Sequence, residues 1–175
     1  MANAKQIGLA LYNFDQDYGK YPDATTAAAV RLKSGSTLSL PDRTSNDLFA
    51  QLFAAGILDS ERSFYAKCES SRKPDNVFHN DATLLEHGEC AFAYIAGLSS
   101  LDDPSAPLLF GPVIPGTTTL DLKSCDGKAI VYRLDNSAVV EKIDSKGKII
   151  INGIDLLDPR QPYWHGKRPD VKWPK

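Results

Sequence analysis

Ala4, Ile7, Leu11, Phe14 and Tyr18 recur at intervals of 3, 4, 3 and 4. That spacing puts them on one face of a helix, while Lys5, Asp15, Gln16 and Asp17 fall mainly elsewhere. The pattern predicts an amphipathic helix over 1–20 with one side built to be buried. Gly19 supplies a left-handed stop and Pro22 follows three positions later, so the C-terminal end is well marked. At the other end Asn3 is an N-cap candidate. The alternative is that Met1 is an added start and the helix belongs to a longer one.

Further along, Asp23 or Thr25 can cap a short alanine-rich helix that stops at Gly35. Ser45 or Asn46 can cap another, in which Leu48, Phe49, Leu52 and Phe53 make an apolar face and Gly56 the stop. From about Ser63 the character changes to β-branched and aromatic runs punctuated by Gly, Pro, Asp and Asn. The segments CAFAYIAGL, PLLFGPVI, KAIVYRL, AVVEKID and KIIINGI read as strands. Asp135, Asn136 and Ser137 make a turn that predicts an antiparallel hairpin over Lys128 to Asp144. The segment from Asp155 to Lys175 has four prolines in 21 residues, which predicts an extended surface tail with Tyr163, Trp164 and Trp173 as anchors.

Helices first and a meandering sheet afterwards argue for an α+β fold with short helices packed on an antiparallel sheet. The organisation expected is one domain: a helix over 1–20, helices within 23–62, a mainly β region over 63–157 and the tail over 158–175. A chain of 175 residues can bury a core without a metal or disulfide.

With 20 basic and 22 acidic side chains, the net charge of -2 gives no footprint for a phosphate backbone, so nucleic acid is not an expected partner. The longest apolar runs, such as Leu108 to Phe110 and Ile149 to Ile151, fall far short of the roughly 20 residues a membrane span needs.

Three cysteines, Cys68, Cys90 and Cys125, allow one disulfide in three pairings. Cys68 with Cys90 is the favoured one, because the two bracket a polar segment whose closure would restrict the unfolded chain. Cys68, His79, His87 and Cys90 also hold the donor types of a tetrahedral zinc site, at spacings of ten, seven and two intervening residues that match no zinc finger. The sequence lacks G-x-S-x-G, G-x-x-x-x-G-K-[ST] and G-x-G-x-x-G, and the reading is non-enzymatic, with no cofactor. Tyr163, Trp164 and Trp173, with His165, Lys167 and Arg168 nearby, form a candidate patch for a host, glycan or protein ligand; the competing reading clamps these aromatics onto the domain.

Several motifs carry a resemblance. Asn3 to Phe14 reads N-x-K-Q-I-G-L-A-L-x-N-F and is followed by D-x-G-K-Y-P at Asp17 to Pro22. Ser45, Asn46, Phe49 and Leu52 give S-N-x-x-F-x-x-L; Gly88, Glu89, Phe92, Ala93 and Tyr94 give G-E-x-x-F-A-Y; and Lys128 to Ser137 gives K-A-x-V-x-R-x-D-x-S. Together they resemble type IV pilin-like proteins, including the major pseudopilins of type II secretion. Where many relatives have D-G-S in the hairpin, this chain has Asp135, Asn136 and Ser137.

The resemblance implies a pilin-like headgroup whose first helix is the stub of a longer one. In this family a basic leader, a peptidase site and an apolar span precede the headgroup. It implies export, with an inner-membrane anchor and periplasmic headgroup or a place in a cell-surface filament serving adhesion or secretion. Its partners would be other pilin-like subunits, packed through the helix face of Ala4, Ile7, Leu11, Phe14 and Tyr18. Some major pseudopilins hold calcium in a C-terminal loop, which makes Asp102, Asp103, Asp155, Asp158 and Asp170 the acidic candidates here.

Overall fold

The computed structural model describes residues 1–175. Helix α1 spans Ala2–Tyr18 and ends where Gly19 adopts φ 79° and donates its N–H to Asp15 O, the left-handed termination its position predicted. Asn3 does not cap it. Met1 holds that position without a side-chain bond, and Asn3 Nδ2 instead donates to Tyr65 O at 2.8 Å. Helix α2, Ala27–Ser34, stops at Gly35 with φ 71°. Its entry is an Asp23 turn, with Oδ1 accepting from the Thr25 and Thr26 N–H groups.

Helix α3, Ser45–Ala54, is capped one residue before the expected pair. Thr44 and Asp47 form a reciprocal capping box. Ser45 and Asn46 are freed for cross-links: Ser45 Oγ donates to Phe92 O at 2.8 Å and Asn46 Nδ2 to Leu85 O at 2.8 Å. A 3₁₀ turn at Glu61–Phe64 follows.

The strands are β1 (Ala93–Ala96), β2 (Pro107–Gly111), β3 (Lys128–Arg133), β4 (Ala138–Lys142), β5 (Ile150–Ile151), β6 (Ile154–Asp155) and β7 (Asp170–Lys172). Five form an antiparallel sheet in the order β4-β3-β2-β1-β7, and β5 pairs with β6 alone. The predicted hairpin is β3-β4, pairing Lys128 with Lys142 and Tyr132 with Ala138.

Three expectations are corrected. The β region starts at Ala93 rather than near Ser63, because residues 65–92 form turns and loop without helix or strand. KIIINGI is a miniature hairpin rather than one strand, since Asn152 and Gly153 both take positive φ, 52° and 78°. The tail is not merely extended over the surface: its β7 is an edge strand that pairs Val171 with Ile95.

Alternation along the strands divides the core in two. Tyr94 and Ala96 of β1, Leu109 of β2 and Tyr132 of β3 face the helices, joining Ile7, Leu11, Phe14, Phe49 and Phe64 in a 26-residue cluster. Ala93, Ile95, Phe110 and Val131 face the other way into a 13-residue cluster with Leu156, Tyr163 and Trp164. Both faces of the sheet are therefore covered, which is why its inner strands read as continuous apolar runs.

Candidate functional site

The two faces of helix α1 differ. Ala4, Ile7, Leu11 and Phe14 are each 0% exposed, and Tyr18 stacks on Phe14 with ring centroids 4.4 Å apart. The face expected to mediate assembly is thus consumed by the protein's own core, and that expectation is corrected. Gly8 lets the helix seat deeply, because the Tyr132 ring of β3 occupies the space a side chain would need. The outward face carries Leu9, 61% exposed, and Tyr12, 39% exposed. Leu9 stands between two grooves. One is bounded by Lys5, Tyr12, Tyr132 and Asn136, the other by Gln6, Asn13, Leu58 and Ser63. The grooves have volumes of about 500 Å³ and 440 Å³ respectively.

The cysteine and histidine set does not converge into a metal site. His79 is exposed and lies against Phe78, with centroids 4.8 Å apart, and His87 is exposed beside Gly116. All three cysteines are free thiols, so the Cys68–Cys90 disulfide is absent from the structure. Cys68 Sγ donates to Val113 O and Cys90 Sγ to Phe92 O, each at 3.5 Å. Burial pushes the Cys68 thiol up to about 11 despite the Ser71 bond, and pushes Cys90 up to about 12. Thiols held neutral in this way are neither nucleophiles nor ready metal ligands.

The aspartates proposed for calcium are likewise dispersed, each satisfied locally. Asp102 accepts from Ser99 N at 2.7 Å, and Asp103 accepts from Ser105 N at 2.9 Å. Asp155 pairs with Lys148 at 2.7 Å, Asp158 with Arg160 at 2.8 Å and Asp170 with Lys172 at 3.3 Å.

The aromatic tail is packed inward, which corrects its reading as a ligand patch. Tyr163 and Trp164 are 8% and 5% exposed, and both bond to Leu156 O, at 3.1 and 2.9 Å. Trp173 meets the edge of Phe110 at 5.7 Å. The last residues are stitched down by Ser45 N to Trp173 O at 3.1 Å and Lys175 N to Asn46 Oδ1 at 3.0 Å. Beside this tail lies a cleft of about 450 Å³ between Phe110, Leu120, Ile149, Leu156 and Trp173, with the Lys148–Asp155 pair in its lining.

One cluster was not anticipated. Carboxylate oxygens of Glu61, Asp75 and Glu89 lie within 4.8 Å of one another, with both glutamates buried and Asp75 exposed. Glu61 comes from the 3₁₀ turn, and Asp75 and Glu89 stand 14 residues apart in the 65–92 loop, so no local spacing announces them. Burial raises the Glu61 carboxyl above the usual glutamate range; the Leu85 N–H bond opposes this, and the charges of Glu89 and Asp75 add to it.

No helix is long and apolar enough to cross a membrane. No family model, curated protein or solved structure matches this chain.

Proposed function

We propose that this chain is the headgroup of a type IV pilin-like or pseudopilin-like subunit, a non-enzymatic assembly protein that is exported and polymerises through its first helix. The observation that carries this reading is the two-sided character of α1. Its inner face is spent on the protein's own core, and its outer face offers Leu9 between two grooves and Tyr12 on the wall of one. A helix held in this way can receive the same helix from a neighbouring subunit, and heterologous packing that does not close builds a helical filament. The contact is therefore assigned to Leu9 and Tyr12 rather than to the buried stripe. Function then resides in surfaces rather than in a catalytic centre. The motif resemblance over Asn3 to Pro22 supports the same reading.

Cysteine cross-linking tests it. In the natural protein carrying Cys125→Ser and expressed in its source cell, Leu9→Cys co-expressed with Tyr12→Cys is expected to give disulfide-linked dimers on mild oxidation, because a heterologous contact brings different positions of α1 together. Leu32→Cys, at an 89% exposed position on α2, serves as the control and is expected to give none. Cross-linking of Leu32→Cys as efficient as that of Leu9→Cys with Tyr12→Cys would refute assembly through α1.

A further inference from the structure

We propose that Glu61, Asp75 and Glu89 form a binding site for a hard divalent cation, calcium, which fastens the 65–92 loop to the body of the domain. The inference is independent of the assembly reading and lies away from the C-terminal aspartates. It begins with an unanswered atom. Glu61 is 0% exposed, and its Oε1 accepts the Leu85 N–H at 2.6 Å, but Oε2 has no hydrogen-bond partner. An unpaired buried carboxylate oxygen is costly, and this one belongs to the carboxylate that faces two others.

Glu89 is already answered. Its Oε1 accepts from Arg72 at 3.0 Å and from Asp75 N at 3.3 Å, and its Oε2 accepts from Glu86 N at 2.8 Å. Arg72 is shared further with Glu86 at 2.7 Å. Glu61 and Asp75 are in no ion pair, so two negative charges stand uncompensated and one divalent cation would balance them. Donor chemistry selects the kind of cation. All three ligands are carboxylates with no imidazole or thiolate among them, which suits a hard ion and disfavours zinc or copper.

Ligand number favours calcium over magnesium, which keeps several waters and is usually held by one or two carboxylates. Oxygens on opposite sides of a calcium ion stand about 4.8 Å apart, at roughly 2.4 Å each from the metal. The cluster fits within that span. Asp75 is exposed, leaving a side open for the water ligands that three carboxylates do not supply. The ion would join the 3₁₀ turn to two points of the 65–92 loop, Asp75 and Glu89, in a stretch held by neither helix nor strand.

The test uses the full chain stripped with excess chelator, then titrated with calcium chloride by calorimetry and melted with and without the ion. Wild type is expected to bind calcium and to melt about 5–10 °C higher when calcium is about a hundredfold above Kd. Glu61→Gln and Asp75→Asn are each expected to weaken binding by about tenfold or more, because affinity follows ligand charge. Asp75 lies on the surface, so Asp75→Asn keeps the fold and tests the site if Glu61→Gln unfolds. Wild type that melts identically in chelator and in calcium overturns the proposal. Binding that survives both substitutions unchanged overturns it equally, by placing calcium elsewhere. Insensitivity to calcium combined with a higher melting temperature for Glu61→Gln overturns it in favour of a proton on Glu61.

Discussion

Replacing Gly8 with alanine should destabilise this protein, although the same change in an exposed helix interior stabilises by about 1 kcal/mol. The reason is the seat of α1 on the sheet. A methyl group built at Gly8 falls inside the van der Waals envelope of Tyr132, against its Cζ, Cε1 and Oη. Carbon atoms need about 3.5 Å, so the ring has to retreat. It has little room, being 3% exposed, and its hydroxyl donates to Asn136 Oδ1 at 2.7 Å.

Overpacking costs about 1–3 kcal/mol and the threatened hydrogen bond about 1 kcal/mol, against a propensity gain of about 1 kcal/mol. The net expectation is a loss of about 2 kcal/mol, or roughly 4–8 °C in Tm for a domain of this size. The assay is thermal and denaturant unfolding of a double-mutant cycle with Tyr132→Leu. With the ring gone, Gly8→Ala should become neutral or stabilising. A rise in Tm for Gly8→Ala in the wild-type background would refute the argument, because α1 could not then be seated against Tyr132.

Asp121 accepts four hydrogen bonds, from Glu69 N, Ser124 Oγ, Lys123 N and Ser124 N, which outweigh its burial and carry its carboxyl down to about 2. Its folded pKa lies below its unfolded value, so this stability is complete above about pH 4 and is lost as pH falls toward about 2. Asp121→Asn should cost about 2 kcal/mol at neutral pH, and its deficit against wild type should shrink over that acid window in urea unfolding. An unvarying deficit would contradict the assignment. Thiol labelling of the native protein should modify Cys125 alone, and all three cysteines after unfolding without reductant; two unreactive thiols in the unfolded, unreduced chain would restore the disulfide. Thr44→Ala should lower stability by about 1 kcal/mol by removing the capping box, read as a shift in urea midpoint.

Much of the helical half was legible because its signals are local. The 3-4 spacing of Ile7, Leu11 and Phe14 and the stops at Gly19 and Gly35 depend only on neighbours along the chain. So does the β3-β4 hairpin, whose turn residue Asn136 takes φ 64°. The division of KIIINGI is local too, since Asn152-Gly153 closes a two-residue hairpin and separates β5 from β6. Strand β7 was hidden: three residues among prolines carry no period, and only pairing with β1 makes them a strand. The acidic cluster was less accessible still, because Glu61, Asp75 and Glu89 meet only once the loop has folded back. Tyr163 and Trp164 read as a recognition patch by composition, yet the second core needs apolar cover on the far side of the sheet, and they supply it.

The natural coding sequence immediately upstream of the Ala2 codon tests the central claim most directly. A pilin-like subunit predicts a short basic leader, a peptidase site and about 20 apolar residues running into α1 in phase with Ile7, Leu11 and Phe14. A cleavable secretory signal there, or a stop codon with nothing apolar before Ala2, would contradict assembly through an anchored first helix.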